Sequence, residues 1–172
     1  MTEIMRQVDD VLSDALRYTR TLVAELSPAV LRDHGLAAAL KWLGEYMQKL
    51  SMRVAVNVPE EPEVVLPEDQ AVLLFQSVRE LLINASKYAG TGEATVALEY
   101  HSDQLRIQVR DQGAGFDVSA AAAAAPAGSG SSKFGLFSIR ERMAALGGSF
   151  DIQSAPGEGV VATLTLPLLR TA

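Results

Sequence analysis

The sequence predicts a two-layer α/β sandwich: a mixed, mainly antiparallel sheet covered by helices on one face, with one further helix at the N-terminus. Three observations carry this. Helical apolar periodicity recurs over residues 34–50, 68–89 and 134–146, so three helices have a stripe to bury. Shorter segments around them alternate apolar and polar side chains, as half-buried strands do. Two of these, Thr95–Tyr100 and Leu105–Arg110, are joined by a turn at 101–104, which makes them an antiparallel pair.

The elements follow in order. Residues 3–26 contain neither Gly nor Pro, and Ile4, Val8, Val11, Ala15, Tyr18 and Leu22 step alternately by four and three. That is the seam of a coiled coil or helix bundle, and Ser27-Pro28 ends it. The helix at 34–50 sets Leu36, Leu40, Leu43 and Met47 on one face. Residues 52–58, Met-Arg-Val-Ala-Val-Asn-Val, alternate as a strand, and the Pro- and Glu-rich stretch 59–67 is a loop. Pro67, Glu68 and Asp69 open the next helix, because Pro fits the first turn and acids suit the positive end of the dipole. It runs to about Ala89 with Ala71, Leu74, Phe75, Val78, Leu81, Leu82 and Ala85 as its buried stripe, and Gly90 and Gly92 stop it. After the strand pair, residues 117–133 hold a six-alanine run and then Pro, Gly and Ser; with no large apolar side chain to anchor it, this stretch is expected to be a mobile lid. A helix of about 134–146 closes at Gly147-Gly148. Phe150/Ile152 and Val160/Ala162/Leu164/Leu166 mark two last strands.

The chain has 172 residues, of which 48% are hydrophobic, which suits one domain with a sizeable core and excludes global disorder. Its formal net charge is -6 and it has no long basic run, so nucleic acid is not an expected partner. It has no cysteine, which rules out disulfides and thiolate metal sites. No apolar run approaches the roughly 20 residues of a membrane span, and no signal-peptide pattern opens the chain. A cytoplasmic domain is expected, and a membrane-bound parent remains compatible with it.

Two motifs carry chemistry. Residues 80–88 read Glu-Leu-Leu-Ile-Asn-Ala-Ser-Lys-Tyr. At about 100° per residue, Glu80, Asn84 and Lys87 fall within roughly 60° of one another, so a carboxylate, a carboxamide and an ammonium share one helix face. Asn is unfavourable inside a helix and asks for a reason. Residues 111–115 read Asp-Gln-Gly-Ala-Gly, a carboxylate at a strand end followed by two glycines that let a backbone approach closely. Amide oxygen and carboxylate suit Mg²⁺, a hard cation, and a buried carboxylate suits an adenine amino group. Together they fit a nucleotide.

In this arrangement the chain resembles the GHKL superfamily of gyrase, heat-shock chaperone, histidine kinase and mismatch-repair ATPases. More narrowly it is similar to the ATP-binding domain of a bacterial sensor histidine kinase, of the subfamily that signals to NarL-type regulators. Glu80 to Tyr88 matches the N box, Asp111-Gln-Gly-Ala-Gly-Phe116 the first glycine box and Lys133-Phe-Gly135-Leu136 the second. Leu26-Ser-Pro-Ala-Val-Leu31, Gly35-Leu-Ala-Ala-Ala-Leu40 and the run from Gly135 to Gly148 fit the subfamily. The likeness covers roughly residues 1–167 and implies a Bergerat-type fold.

The resemblance implies roles. Asn84 would bind Mg²⁺, which bridges the phosphates of ATP. Glu80 would be the catalytic residue, holding a metal-bound water or acting as base. Lys87 would neutralise phosphate charge and Tyr88 would line the nucleotide. Asp111 would accept the adenine amino proton; Gly113 and Gly115 would admit the base and shape the lid hinge. Gly135, Leu136 and the helix start would offer backbone N–H groups to phosphate. There are departures: Val160 stands where relatives carry Thr, Tyr88 where many have His, and Phe134 where a small or polar residue is common. The implied activity is transfer of the γ-phosphoryl group of ATP to a histidine, in two-component signalling, with the phosphoacceptor bundle and a cytoplasmic response regulator as partners.

The only histidines, His34 and His101, lack the family's acceptor context. Residues 1–27 are therefore expected to be the second helix of the acceptor bundle, with the ATP-binding domain over 28–172. Two other readings stand beside this one. A GHKL serine kinase of the anti-sigma type lacks the bundle helix that 3–26 resembles. A non-catalytic nucleotide sensor would have no use for Glu80, though Val160 speaks slightly for it.

The seam from Ile4 to Leu22 has no evident partner in the chain, and a bare stripe of that length is an unusually large apolar patch. A homodimer through the N-terminal helix is the expected outcome. Analytical ultracentrifugation should give a dimer for the whole chain and a monomer for a form starting near Ser27; monomers for both at high concentration would count against the seam.

Overall fold

A chain that alternates helical and strand periods must find one apolar face of a sheet for its helices to cover. The computed structural model, which describes residues 29–60, 64–101, 103–123 and 131–168, shows how this is met. The N-terminal seam expected over 3–26, and with it the boundary at 27, lies outside these residues.

Among the described residues five strands form one sheet: β1 (Arg53–Asn57), β2 (Glu93–Tyr100), β3 (Gln104–Asp111), β4 (Ser149–Ser154) and β5 (Val160–Pro167). Their order is β1-β2-β3-β5-β4. The pair β1–β2 is parallel and the other three pairs are antiparallel. Connections explain this. A parallel pair needs a crossover, and the stretch between β1 and β2 holds a whole helix, Glu68–Tyr88. The link from β2 to β3 is a tight turn, with the His101 N–H donating to the Gln104 carbonyl at 2.8 Å.

Four helices are described: α1 (Ala29–Met47), α2 (Glu68–Tyr88), α3 (Val118–Ala123) and α4 (Ser131–Ala145). The inward residues of the central strands are buried: Ala94, Val96 and Leu98 on β2, Leu105, Ile107 and Val109 on β3, Ala162, Leu164 and Leu166 on β5. Every residue of the stripes expected on α1 and α2 is buried against them, and Ile139 and Met143 of α4 join the same core. The residues between, such as Thr95, Glu99, Arg106 and Arg110, belong to the uncovered side. Trp42 of α1 stacks on Tyr46 and stands 6.4 Å from the Phe75 ring, which binds α1 to α2. Ser77 is fully buried among these apolar groups, and its hydroxyl donates to the Leu73 carbonyl at 2.8 Å, so it leaves no unmet polar group.

The boundaries differ from expectation in five places. Helical turns begin at Ala29, and α1 is broken at Gly35, whose φ of 78° and ψ of -178° only glycine adopts readily. The α-helix ends at Met47 and tightens into a 3-10 turn over Gln48–Leu50. Pro67 sits at the N-cap, just outside the helix, with Glu68 and Asp69 in the first turn. In the segment 117–133, residues from Val118 to Ala123 are helical, with the Asp117 carboxylate accepting the Ala120 N–H at 3.0 Å. Alanine propensity, once a cap is supplied, accounts for that turn. The next helix starts at Ser131, a turn earlier than 134. It ends in a Schellman motif: Gly148 N–H reaches the Met143 carbonyl at 2.8 Å, Gly147 N–H reaches that of Ala144 at 3.0 Å, and Gly147 takes φ 70°. No helix among the described residues is long and apolar enough to cross a membrane.

Phe75 is the largest wholly buried side chain at the α1–α2 junction. Phe75→Ala should cost about 3–5 kcal/mol, seen as a fall in the urea midpoint with little change in slope.

Candidate functional site

The last turn of α2 and the end of β3 meet at one corner of the sandwich. There the loop after Asp111 turns back under the helix end. A Cβ added at Gly113 would overlap the backbone of Ala89, and Ala114 N–H donates to the Ala89 carbonyl at 2.9 Å. Glycine at 113 is thus a requirement of close packing. Two more glycines repeat the device. Gly115, at φ 59°, lies against the Ala155 carbonyl, and Gly159, at φ 73°, lies against the carbonyl of Asp111. Three main-chain segments stack with no side chain between them.

This stack is the floor of a cavity of about 350 Å³, within the range of small-molecule sites. Leu81, Asn84, Ala85, Tyr88 and Ala89 of the α2 end, Asp111, Gly115 and Phe116, Leu136 of α4, and Ile152 and Val160 line it. Asp111 is 7% exposed and accepts the Gly113 N–H at 2.9 Å. Among the described residues it has no ion pair. A carboxylate so buried holds acceptor capacity beyond that one bond, aimed at a mostly apolar space. The amide nitrogen of Asn84 is buried with no hydrogen-bond partner. Such a group costs about 1–3 kcal/mol, which a ligand could offset.

The residues singled out from the sequence fall into three groups. Asn84, Tyr88, Asp111, Gly115 and Leu136 line the one cavity. Glu80 and Gly135 meet each other beside it: a Cβ on Gly135 would collide with the Glu80 carboxylate, so the absence of a side chain there lets α4 close on α2. Gly113 lies beneath Asp111 as described, and Lys87 is exposed and lines nothing. Tyr88 stands at the rim, 54% exposed. The walls went unread as site: Leu81 and Ala85 looked like plain core stripe, Ala89 like the end of the helix, and Phe116 and Ile152 carried no chemical signal. Their positions three back, one on and five on from Asn84 along α2 were the available clue for the first three. Neither histidine lines the cavity; His101 lies 3.5 Å from the Glu99 carboxylate.

Among the described residues no three His, Asp or Glu side chains gather as a metal site. A Mg²⁺ ion does not need such a cage, since it keeps waters and binds through one or two protein oxygens plus phosphate. Asn84 and the adjacent Glu80 fit that pattern.

Comparison with known proteins agrees with this geometry. Residues 69–170 match the family described as histidine kinase-, DNA gyrase B-, and HSP90-like ATPase. The chain is 30% identical over 175 aligned residues to an uncharacterized sensor-like histidine kinase of Chloroflexus aurantiacus, covering 96% of this chain and 28% of that protein. It is 28% identical to the sensor histidine kinase LiaS of Bacillus subtilis, covering 95% of this chain and 43% of that one. The chain thus spans less than half the length of these relatives. The fold matches the histidine kinase domain of a blue-light activated histidine kinase from Erythrobacter litoralis, with TM-score 0.60 and 20% identity, over 77% of this chain and 60% of that one. A longer structure of the same kinase gives TM-score 0.61 at 23% identity, over 79% and 42%.

The floor makes a direct test available. Gly113→Ala should lower stability by about 1–3 kcal/mol in urea denaturation, because the added methyl meets backbone that cannot swing aside. A neutral effect would show that the loop and the α2 end are not packed as described.

Proposed function

We propose that this chain, which belongs to the histidine kinase-, DNA gyrase B- and HSP90-like ATPase family, binds ATP with Mg²⁺ in the cavity at Asp111 and serves as the catalytic part of a sensor histidine kinase. The observation that carries the reading is the pairing of a buried, unpaired carboxylate, Asp111, with a buried unmet amide, Asn84, across one apolar cavity.

Each feature then has a task. Leu81, Ala85, Phe116, Ile152 and Val160 give a flat ring an apolar slot. Asp111 accepts the exocyclic amino proton of adenine and disfavours a base that presents an oxygen there. With Val160 in the wall, that carboxylate is the main polar reader of the base. Asn84 is the residue to hold Mg²⁺, with Glu80 one turn back along α2, against Gly135 of α4. Bound Mg²⁺ would supply charge neutralisation for the phosphates. Glu80 would orient or deprotonate the attacking group, a histidine imidazole. Lys87 would meet phosphate; the N–H groups of Gly135 and Leu136, expected at a helix start, lie inside a helix that begins at Ser131 and are spent on its own hydrogen bonds. The acceptor histidine belongs to a dimeric helical bundle, of which residues 1–27 are the second helix, and the phosphoryl group passes on to a cytoplasmic response regulator of the NarL type.

Two measurements test this. Titration calorimetry should show ADP binding, and Asp111→Asn should weaken it at least about tenfold, as expected for loss of a buried charged hydrogen bond. Glu80→Gln should sharply reduce phosphoryl transfer from ATP to a separately supplied histidine-bearing bundle, with ADP affinity little changed. Unaltered affinity in Asp111→Asn, or phosphate label on His34 or His101, would overturn the assignment.

A further inference from the structure

The residues that line the cavity do not explain why two separate loops hold their relative position at its floor. The loop after β3 and the loop between β4 and β5 meet there through glycines, which have no side chains to interlock. Gly157 N–H of the second donates to the Ala114 carbonyl of the first at 2.6 Å, and one side chain adds to this main-chain tie. Ser154, the last residue of β4, accepts the Phe116 N–H at 2.9 Å and donates to the Gly159 carbonyl at 2.7 Å. The hydroxyl is the right group for this, since it is at once a donor and an acceptor. Phe116 lines the cavity, as does Val160, the neighbour of Gly159. Gly159 itself lies against the Asp111 carbonyl and the Gln112 Cα, with no space for a methyl. The main chain that carries the Asp111 carboxylate therefore rests on a residue whose carbonyl Ser154 holds.

We propose that Ser154 is a positioning residue for base recognition: its hydroxyl ties the two loops together and so sets the aim of the Asp111 carboxylate. The inference rests on the reading of the cavity as the adenine site. Without the hydroxyl, the Phe116 N–H and the Gly159 carbonyl lose their shared partner, and the support beneath Asp111 can shift. A hydrogen bond to the adenine amino group depends on angle as well as distance. The apolar walls, which hold the ring by contact, tolerate the same shift better.

The consequence is specific to one atom group of the ligand. ADP affinity is measured by titration calorimetry on the 172-residue chain, alongside competition by the purine nucleoside diphosphate that lacks the 6-amino group. In Ser154→Ala, ADP should bind about tenfold more weakly, while the analogue should lose less than about twofold. Ser154→Thr, which keeps the hydroxyl, should restore ADP binding. If Ser154→Ala does not fold, Ser154→Thr against Ser154→Val, near-isosteres with and without a hydroxyl, carries the same comparison. Unchanged ADP affinity overturns the proposal, as does an equal loss for ADP and analogue, which would mark Ser154 as a purely structural tie. Failure of the unaltered chain to bind ADP at all would instead overturn the nucleotide reading, and this inference with it.

Discussion

The corner of the molecule that matters depends on backbone meeting backbone. Gly113 on Ala89, Gly115 on Ala155 and Gly159 on Asp111 are contacts in which any side chain would intrude. Packing at that range lets three segments, drawn from α2, the β3 end and the β4–β5 loop, converge within one small volume. Everything else at the site follows from it. Asp111 is buried where these segments converge, and its carboxylate keeps acceptor capacity because the Gly113 N–H uses only part of it. The cavity stays open above because the space below is filled by main chain.

The same economy appears where α4 joins. Gly135 leaves its place to the Glu80 carboxylate, so a charged side chain can sit between two packed helices. Burial of a charge is ordinarily costly, and a glycine opposite it removes a steric obstacle without supplying a partner. A site that keeps polar groups unmet is less stable than one that pairs them all. Here Asn84, with its unmet amide nitrogen, and Asp111, whose carboxylate accepts one N–H, both line one cavity, which is how a protein retains binding free energy for a ligand.

What could be read from the sequence follows the strength of the local signals. The α1 and α2 stripes, the β2–β3 pair and the helix stop at Gly147-Gly148 rest on periodicity and glycine chemistry, and the structure has them where the residues indicated. The break at Gly35 was not legible, because an isolated glycine in a helical pattern is compatible with an unbroken helix until φ is known. The parallel pairing of β1 was not legible either, since strand order depends on tertiary packing and not on any one segment. At the site, residues with chemical character announced themselves: Glu80, Asn84, Asp111. The apolar walls did not, because Leu81 or Ile152 in a cavity has the same composition as Leu81 or Ile152 in a core. Ser154 was silent for another reason: a serine at a strand end has many ordinary uses, and only the pair of partners it holds distinguishes this one.

The neighbouring strands β3 and β5 are adjacent in space yet separated in the chain by α3, α4 and β4. That excursion leaves β3 at Asp111, passes through the edge strand β4 and enters β5 at Val160, directly opposite Asp111. Its two ends are thus pinned by the ladder whatever its length. Each doubling of such a loop adds only about 0.6 kcal/mol of closure entropy. Evolution can therefore lengthen or shorten the connection between Asp111 and α4 at little thermodynamic cost, while α4, β4 and the sheet beneath keep their packing and register. The topology separates a part of the chain free to vary from the stack of backbones that cannot.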